Sequence, residues 1–153
     1  MEFDYTTTTG KTFDEAVLSV QEEIVKAGMR VLYVHDIAGA LAEKGFQRDP
    51  FKMVEFCNAK YANEFLNADI KIGLCLPCKI NVYVKNEEAF ISDVEREKRE
   101  STLSPLPSRG ANMVTHISGM RSIILSQFFP LADLGEMPKE IDQIILNIID
   151  NAK

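Results

Sequence analysis

The first 94 residues alternate between short β-type runs and stretches with helical periodicity, and this alternation is the feature that most limits the possible folds. A strand is predicted over residues 3–9, which are rich in β-branched and aromatic side chains. Thr12 and Glu15 then have the spacing of a capping box, and apolar residues recur at helical intervals after them. The pattern therefore predicts helices that pack on a sheet.

The same alternation continues towards the middle of the chain. Further strands are predicted at 29–35, 51–57, 79–85 and 89–94, and Asp36 and Asn58 are typical N-caps for two helices between them. Because residues 29–35 are mostly apolar, we expect this strand to be buried on both faces. Alternating apolar and polar residues over 79–85 indicate an antiparallel part with one wet face. We predict an α+β fold, a two-layer sandwich in which helices pack on one face of a mixed, mainly antiparallel sheet.

The composition changes after residue 94. A charged run leads into a segment rich in serine and proline at 101–110, which is typical of a linker or lid. A helix that carries His116 is predicted at 113–129, and Pro138 opens a last helix with an isoleucine stripe. We predict a single domain of residues 1–153, in which 95–137 form an extended insertion or lid before the C-terminal helix.

The charge, the hydropathy and the cysteine count limit the partners and the cellular location that we expect. A net charge of −6 argues against nucleic acid, which attracts a basic face. No run approaches the roughly 20 apolar residues that a membrane span needs, and the first ten residues lack the apolar core of a secretory signal. The odd count of three cysteines favours reduced thiols over a disulfide framework. We therefore expect a cytoplasmic protein that binds neither nucleic acid nor a membrane.

All three cysteines fall between positions 57 and 78. This cluster is the part of the sequence that most suggests a reactive or ligand-binding site. Cys57 stands at a predicted strand-to-helix junction, and a helix N-terminus can lower the pKa of a thiol. The alternative is that Cys57 is a small buried apolar residue that closes the strand.

The pair Cys75-x-x-Cys78 has several interpretations. A redox dithiol usually starts a helix, whereas this pair leads into a strand. Structural zinc needs four ligands, which only Cys57, His35 and His116 could complete. A Cu(I) site needs two or three thiolates, so the three cysteines of this chain fit it better than they fit a zinc site. Cys57, Cys75 and Cys78 are thus the candidate metal ligands, for Cu(I) or Zn, unless both members of the pair simply line the core.

Three motifs carry a family resemblance. They are Phe56-Cys57-Asn58-Ala59, Asp69-Ile70-Lys71-Ile72-Gly73 and Leu76-Pro77-Cys78, the last of which leads into an alternating strand. In this order and spacing they resemble domain-of-unknown-function family 302. The resemblance implies a two-layer sandwich of the TATA-binding-protein-like type, often paired as a homodimer.

The resemblance also implies a ligand-binding site. Cys57, Asn58, Pro77 and Cys78 match the family motifs, and the two cysteines would approach each other at one end of the sheet. The chain departs from the family pattern at Ala59, where proline is expected, and at Cys75, where leucine is expected. The segment 95–137 is also longer than the usual connection.

These observations leave three functional hypotheses. The leading one is a cytoplasmic domain that binds a small ligand or a soft metal through its cysteine cluster. The first alternative is a thiol-dependent redox or sulfur-handling enzyme with Cys57 as nucleophile and Cys75 or Cys78 as resolving partner. The second is a dimeric scaffold whose cysteines belong to the core. No motif of a familiar catalytic site decides whether the protein is an enzyme.

Overall fold

The computed structural model describes residues 2–86 and 113–153, which form a five-stranded sheet covered by helices on one face. The strands are β1 (Asp4–Thr9), β2 (Arg30–Asp36), β3 (Phe51–Cys57), β4 (Cys78–Asn86) and β5 (Met113–Met120). Their order in the sheet is β1-β5-β4-β3-β2, and all neighbouring strands are antiparallel. The expected antiparallel character therefore extends to every strand pair that the structure describes.

Three of the helices begin at the caps that the sequence indicates, Thr12, Asp36 and Asn58. The helices are α1 (Phe13–Lys26), α2 (Ile37–Ala42), α3 (Ala59–Ala68), α4 (Leu125–Phe128) and α5 (Met137–Ala152), with 3-10 turns at Ile70–Cys75 and Ser122–Ile124. The capping box is complete, because the Glu15 amide donates to Thr12 Oγ1 and the Thr12 amide donates to Glu15 Oε2. Asn58 Oδ1 accepts from the amide of Lys60 at the start of α3.

The hydrophobic core lies between the sheet and the long helices α1 and α5. Alternate residues of β3, β4 and β5 point into it and are fully buried, as are the apolar stripes of the two helices. The core residues include Ala16, Val20, Ile24, Val54, Phe56, Ile80, Val82, Ile117, Ile145, Ile148 and Ile149. This arrangement confirms the α+β fold with helices on one face. No helix within residues 2–86 and 113–153 is long and apolar enough to cross a membrane.

The strand at 29–35 exists, but the expectation that it is buried on both faces is wrong. β2 is the last strand of the sheet, and the side chains of Leu32 and Tyr33 are 49% and 61% exposed. An apolar run does not distinguish an edge strand from a central one, because the order of strands depends on contacts far apart in the sequence.

The helix predicted at 113–129 is also wrong. Residues Met113–Met120 form β5, which lies between β1 and β4, and only the short helix α4 follows. His116 is consequently on a strand, where its ring stacks on Tyr83 with centroids 5.1 Å apart. The β-branched residues of this stretch fit a pleated sheet, and packing on both sides overrides their approximate helical spacing.

Part of the segment predicted as an insertion or lid therefore belongs to the sheet and the helical layer. Residues 113–137 supply β5, α4 and the start of α5. Residues 95–112 and the strand predicted at 89–94 lie outside the described residues, so those predictions stay predictions.

An ion pair whose carboxylate is buried and whose guanidinium is partly exposed joins the end of β5 to α5. Arg121 Nη2 donates to Asp142 Oδ2 at 2.7 Å, and Arg121 Nε donates to Asp142 Oδ1 at 2.9 Å. The Asp142 side chain is 7% exposed. This bidentate contact holds the segment that directly follows β5 against α5.

Candidate functional site

A cavity of about 310 Å³ lies at one end of the sheet, where β1 and β4 begin and β5 ends. We call it the sheet-end cavity. Its wall is the loop that carries Leu74, Cys75, Pro77 and Cys78, its floor is formed by strand residues, and Phe3 stands at its rim. Most of the lining side chains are apolar or contain sulfur, which is usual for a pocket that binds a small molecule.

The wall is positioned by a 3-10 turn. Asp69 caps this turn by accepting a hydrogen bond from the amide of Lys71 at 2.9 Å, and the turn ends at Cys75. The Leu76–Pro77 peptide bond is cis, and β4 begins directly after it at Cys78. Both cysteines are partly buried and pack against the core, so that the thiols lie between the core and the cavity.

The floor is a row of side chains on the uncovered face of the sheet. Met53 pairs with Asn81, and Asn81 pairs with Ser118, so these three side chains point the same way from neighbouring strands. Met120 is two residues beyond Ser118 on the same face of β5 and also lines the cavity. The floor thus combines two thioethers with an amide and a hydroxyl.

Several polar groups in the cavity retain hydrogen-bonding capacity. Asp4 Oδ2 accepts from Thr6 Oγ1 at 2.6 Å and from Ser118 Oγ at 3.4 Å. Lys79 Nζ donates to the Pro77 carbonyl at 3.3 Å. Within the described residues Asn81 Oδ1 has no hydrogen-bond partner, and neither Asp4 nor Lys79 forms an ion pair.

Burial favours the neutral form of two of the thiols, those of Cys57 and Cys78. Burial, together with the nearby Cys57 and Cys75 thiols, raises the pKa of Cys78 to about 11 against the opposing effect of Lys79. Burial also raises the pKa of Cys57, whose Sγ–H donates to the Asn58 carbonyl at 3.7 Å. The lowered pKa expected for a thiol at a helix N-terminus is therefore not found at Cys57.

This electrostatic environment makes Cys78 a slow nucleophile. In a variant that retains only this cysteine (Cys57→Ser, Cys75→Ser), we expect iodoacetamide to react at pH 8 about 100-fold more slowly than with an unperturbed thiol, because the thiolate fraction is correspondingly small. Burial, the largest cause of the raised pKa of Cys78, is retained in this variant, so the rate should keep rising with pH above the range in which the rate of a free thiol levels off. Unfolding the same variant in urea should restore the ordinary rate. A plateau of the folded protein's rate below about pH 9.5 would contradict the burial that we describe.

The residues predicted from the motifs divide into two groups. Pro77 and Cys78 line the cavity, as does Cys75. Cys57 and Asn58 do not; Cys57 ends β3 beside Cys78, since Phe56 pairs with Cys78, and Asn58 caps α3. The Asn58 side chain also donates from Nδ2 to the Gly28 carbonyl at 3.3 Å, so both ends of its amide are engaged within the protein.

The structure also locates the candidate metal ligands. Among the residues that the structure describes, no group of three or more His, Cys, Asp and Glu side chains is arranged to hold a metal ion. Of the two histidines considered with the cysteines, His35 Nε2 lies 3.2 Å from Glu55 Oε1 and His116 stacks on Tyr83. Neither histidine lines the sheet-end cavity.

Sequence reasoning missed the floor of the cavity. Asn81 and Lys79 could have been found, because the alternation along β4 puts them on the wet face. Ser118 and Met120 could not, because their segment was interpreted as a helix. Asp4 reaches the site only because β1 pairs with β5, and no local pattern indicates that pairing.

Comparison with known proteins agrees with the motifs. Residues 5–95 match the family model described as "Domain of unknown function DUF302", which is more than half of the chain. The crystal structure of an uncharacterized conserved DUF302 protein from Bacillus stearothermophilus is similar to this chain, with a TM-score of 0.77 over 100% of both chains and 22% sequence identity, and therefore shares its fold. No curated protein matches the sequence. The family resemblance is thus confirmed, and the chain belongs to the domain-of-unknown-function family DUF302.

Proposed function

We propose that the protein binds a small molecule in the sheet-end cavity, with Cys75 and Cys78 along one wall. The observation that carries this proposal is that one concave site brings together two thiols, two thioethers and the amide oxygen of Asn81, which has no hydrogen-bond partner among the described residues. Its volume of about 310 Å³ lies at the lower end of the range for small-molecule pockets, roughly 300–1,000 Å³. The ligand is therefore small.

The lining favours a ligand with an apolar or sulfur-containing part. Four sulfur atoms, those of Met53, Cys75, Cys78 and Met120, belong to lining residues. Thioethers and neutral thiols are polarizable and pack well against aromatic rings, alkyl chains and other sulfur atoms. Because the pKa of Cys78 is raised, this cysteine contributes a neutral, weakly polar surface rather than a charged ligand for a cation.

Thiol-dependent redox chemistry is the second candidate. It is supported by the mutual proximity of the cysteines, since Cys57 and Cys75 both contribute to the raised pKa of Cys78. The same raised pKa opposes it, because an attacking thiol needs an appreciable thiolate fraction near neutral pH. Binding is therefore the stronger proposal.

The setting of this activity is also a proposal. The three free cysteines suit the reducing cytoplasm, and the net charge of −6 suits a small molecule or a protein partner better than nucleic acid. The family resemblance supports a homodimer as the form in solution. A dimeric scaffold without a ligand is the remaining alternative, and ligand capture at Cys75 distinguishes binding from it.

Disulfide exchange at Cys75 tests the proposed function. The protein is equilibrated with small disulfides whose non-reacting part ranges from ethyl to phenethyl, in the presence of a reducing thiol, and adducts are located by mass spectrometry. We expect capture at Cys75 to resist reduction increasingly as the fragment grows towards phenethyl, because the cavity contacts it. Capture at Cys57, which lies outside the cavity, should not depend on fragment size.

A matched pair of variants separates cavity binding from simple thiol exposure. Ser118→Leu places a larger side chain on the cavity floor, whereas Thr8→Leu introduces a leucine on the uncovered face of β1, outside the cavity. We expect Ser118→Leu to abolish the preference for large fragments at Cys75 and Thr8→Leu to preserve it. Equal capture of all fragments at Cys75 in the unmodified protein would overturn the proposed function.

A further inference from the structure

The sheet-end cavity carries opposite charges on two of its lining residues. Asp4 is at the start of β1, and Lys79 is near the start of β4. β5 lies between these strands, and Met120 pairs with Asp4. Because Ile80 pairs with Gly119, the same register places Lys79 beside Met120. Lys79, Met120 and Asp4 therefore form one row across three strands.

The spacing of this row sets the size of the ligand that can meet both charges. Neighbouring strands lie about 4.8 Å apart, so the backbones of Lys79 and Asp4 are separated by about 10 Å. Met120 lies between them and presents a thioether to the same cavity. The row thus offers an ammonium at one end, an apolar sulfur-containing middle and a carboxylate at the other end.

Both charges are available to a ligand. The cross-strand neighbour of Lys79 is Glu55, which could have neutralised it, but Glu55 Oε1 lies 3.2 Å from His35 Nε2 instead. Lys79 turns to the carbonyl of Pro77 at the wall of the cavity. At the other end, hydroxyl donors hold the Asp4 carboxylate, and no cation of the described residues pairs with it.

We propose that the ligand of this cavity is a short peptide of about three residues with free termini and an apolar or sulfur-containing middle side chain. An extended chain advances about 3.4 Å per residue, so three residues span the row of about 10 Å. The peptide's ammonium group meets Asp4, its carboxylate meets Lys79, and its middle side chain contacts Met53, Met120 and Cys75. The amide oxygen of Asn81 is an acceptor at the floor for a peptide N–H. This inference rests on the proposed function and specifies its ligand class.

Isothermal titration calorimetry with capped and uncapped peptides tests it. The probes are Gly-Met-Gly with both termini free, its N-acetylated form and its C-terminal amide, in a reducing buffer. We expect each cap to weaken binding to the unmodified protein about tenfold, because each removes one charge-assisted contact. The probes, and not the protein, are altered in this step, so that folding cannot confuse the result.

Variants assign each peptide terminus to its residue. In Asp4→Asn the N-acetyl cap should cause no further loss, and in Lys79→Gln the C-terminal amide should cause none. Asp14→Asn and Lys85→Gln remove the same charges from exposed positions outside the cavity and should leave the tenfold effects intact.

Three results would overturn the inference: no binding of Gly-Met-Gly, equal binding of capped and uncapped peptides, or cap effects that persist in both cavity variants. The disulfide-exchange experiment at Cys75 tests the proposed function separately. If fragments are still captured selectively at Cys75, only the ligand class is wrong. If selective capture also fails, the cavity is not a binding site.

Discussion

Replacing Arg121 with methionine is expected to lower the free energy of unfolding by about 4 kcal/mol. The substitution keeps much of the side-chain volume but leaves the Asp142 carboxylate, which is 7% exposed, without the guanidinium that donates to both of its oxygens. A buried carboxylate without a partner loses its hydration and gains nothing in return. Urea denaturation followed by circular dichroism measures the effect.

Two controls make this prediction specific. Lys139 and Glu136 form an ion pair on the surface, where their side chains are 63% and 71% exposed, so Lys139→Ala should cost less than about 1 kcal/mol. The double variant Arg121→Met, Asp142→Leu should recover a large part of the lost stability, because it removes the orphaned charge. A loss below about 1 kcal/mol for Arg121→Met alone would show that the Asp142 carboxylate is not buried in solution.

Replacing Gly119 with valine is expected to destabilise the protein by about 3 kcal/mol. Gly119 is on β5 where α5 packs against the sheet, and a Cβ at this position would lie 2.9 Å from Ile149 Cδ1 and 3.1 Å from Ile145 Cγ2. Both isoleucines are buried and have little room to move. Thermal and urea denaturation should both show the loss, and Gly119→Ala should show a smaller one.

Gly10 provides the matched comparison. A Cβ added there meets no atom within 4 Å, and the backbone does not require a positive φ. Gly10→Ala should therefore change the stability by no more than about 0.5 kcal/mol. If Gly119→Val were as stable as the unmodified protein, α5 would have to pack further from the sheet than the structure shows.

The local elements of this fold could be predicted because their signals are short. The capping box of Thr12 and Glu15, the cap at Asn58 and the alternation along β4 each lie within a few residues, and each has a specific physical cause. These signals were sufficient for an α+β sandwich with helices on one face. They contain no information on the order of strands in the sheet.

The failures concern contacts between distant parts of the chain. β5 was interpreted as part of a helix because its apolar residues have approximately helical spacing. In the structure Gly119 is where α5 approaches the sheet, which is a packing requirement and not a local preference. β2 was expected to be buried on both faces because its run is apolar, but it is the last strand of the sheet.

The candidate site also combines a part that local sequence signals predict with a part that depends on contacts between distant residues. The wall of the cavity, Cys75, Pro77 and Cys78, is one continuous stretch and was recognised from it. The floor is assembled from β1, β3, β4 and β5, so that Asp4 and Ser118 enter the site only through strand pairing. Cys57 and Asn58 were grouped with the wall because they match the family motifs, whereas neither residue lines the cavity in the structure.

The measurement that tests the account most directly is a crystal structure of the protein with a phenethyl fragment disulfide-linked to Cys75. The proposed function predicts that the phenyl ring lies in the sheet-end cavity and contacts Met53 and Met120. A ring that instead extends into solvent past Leu74, whose side chain is 88% exposed, would contradict the assignment of this cavity as the binding site.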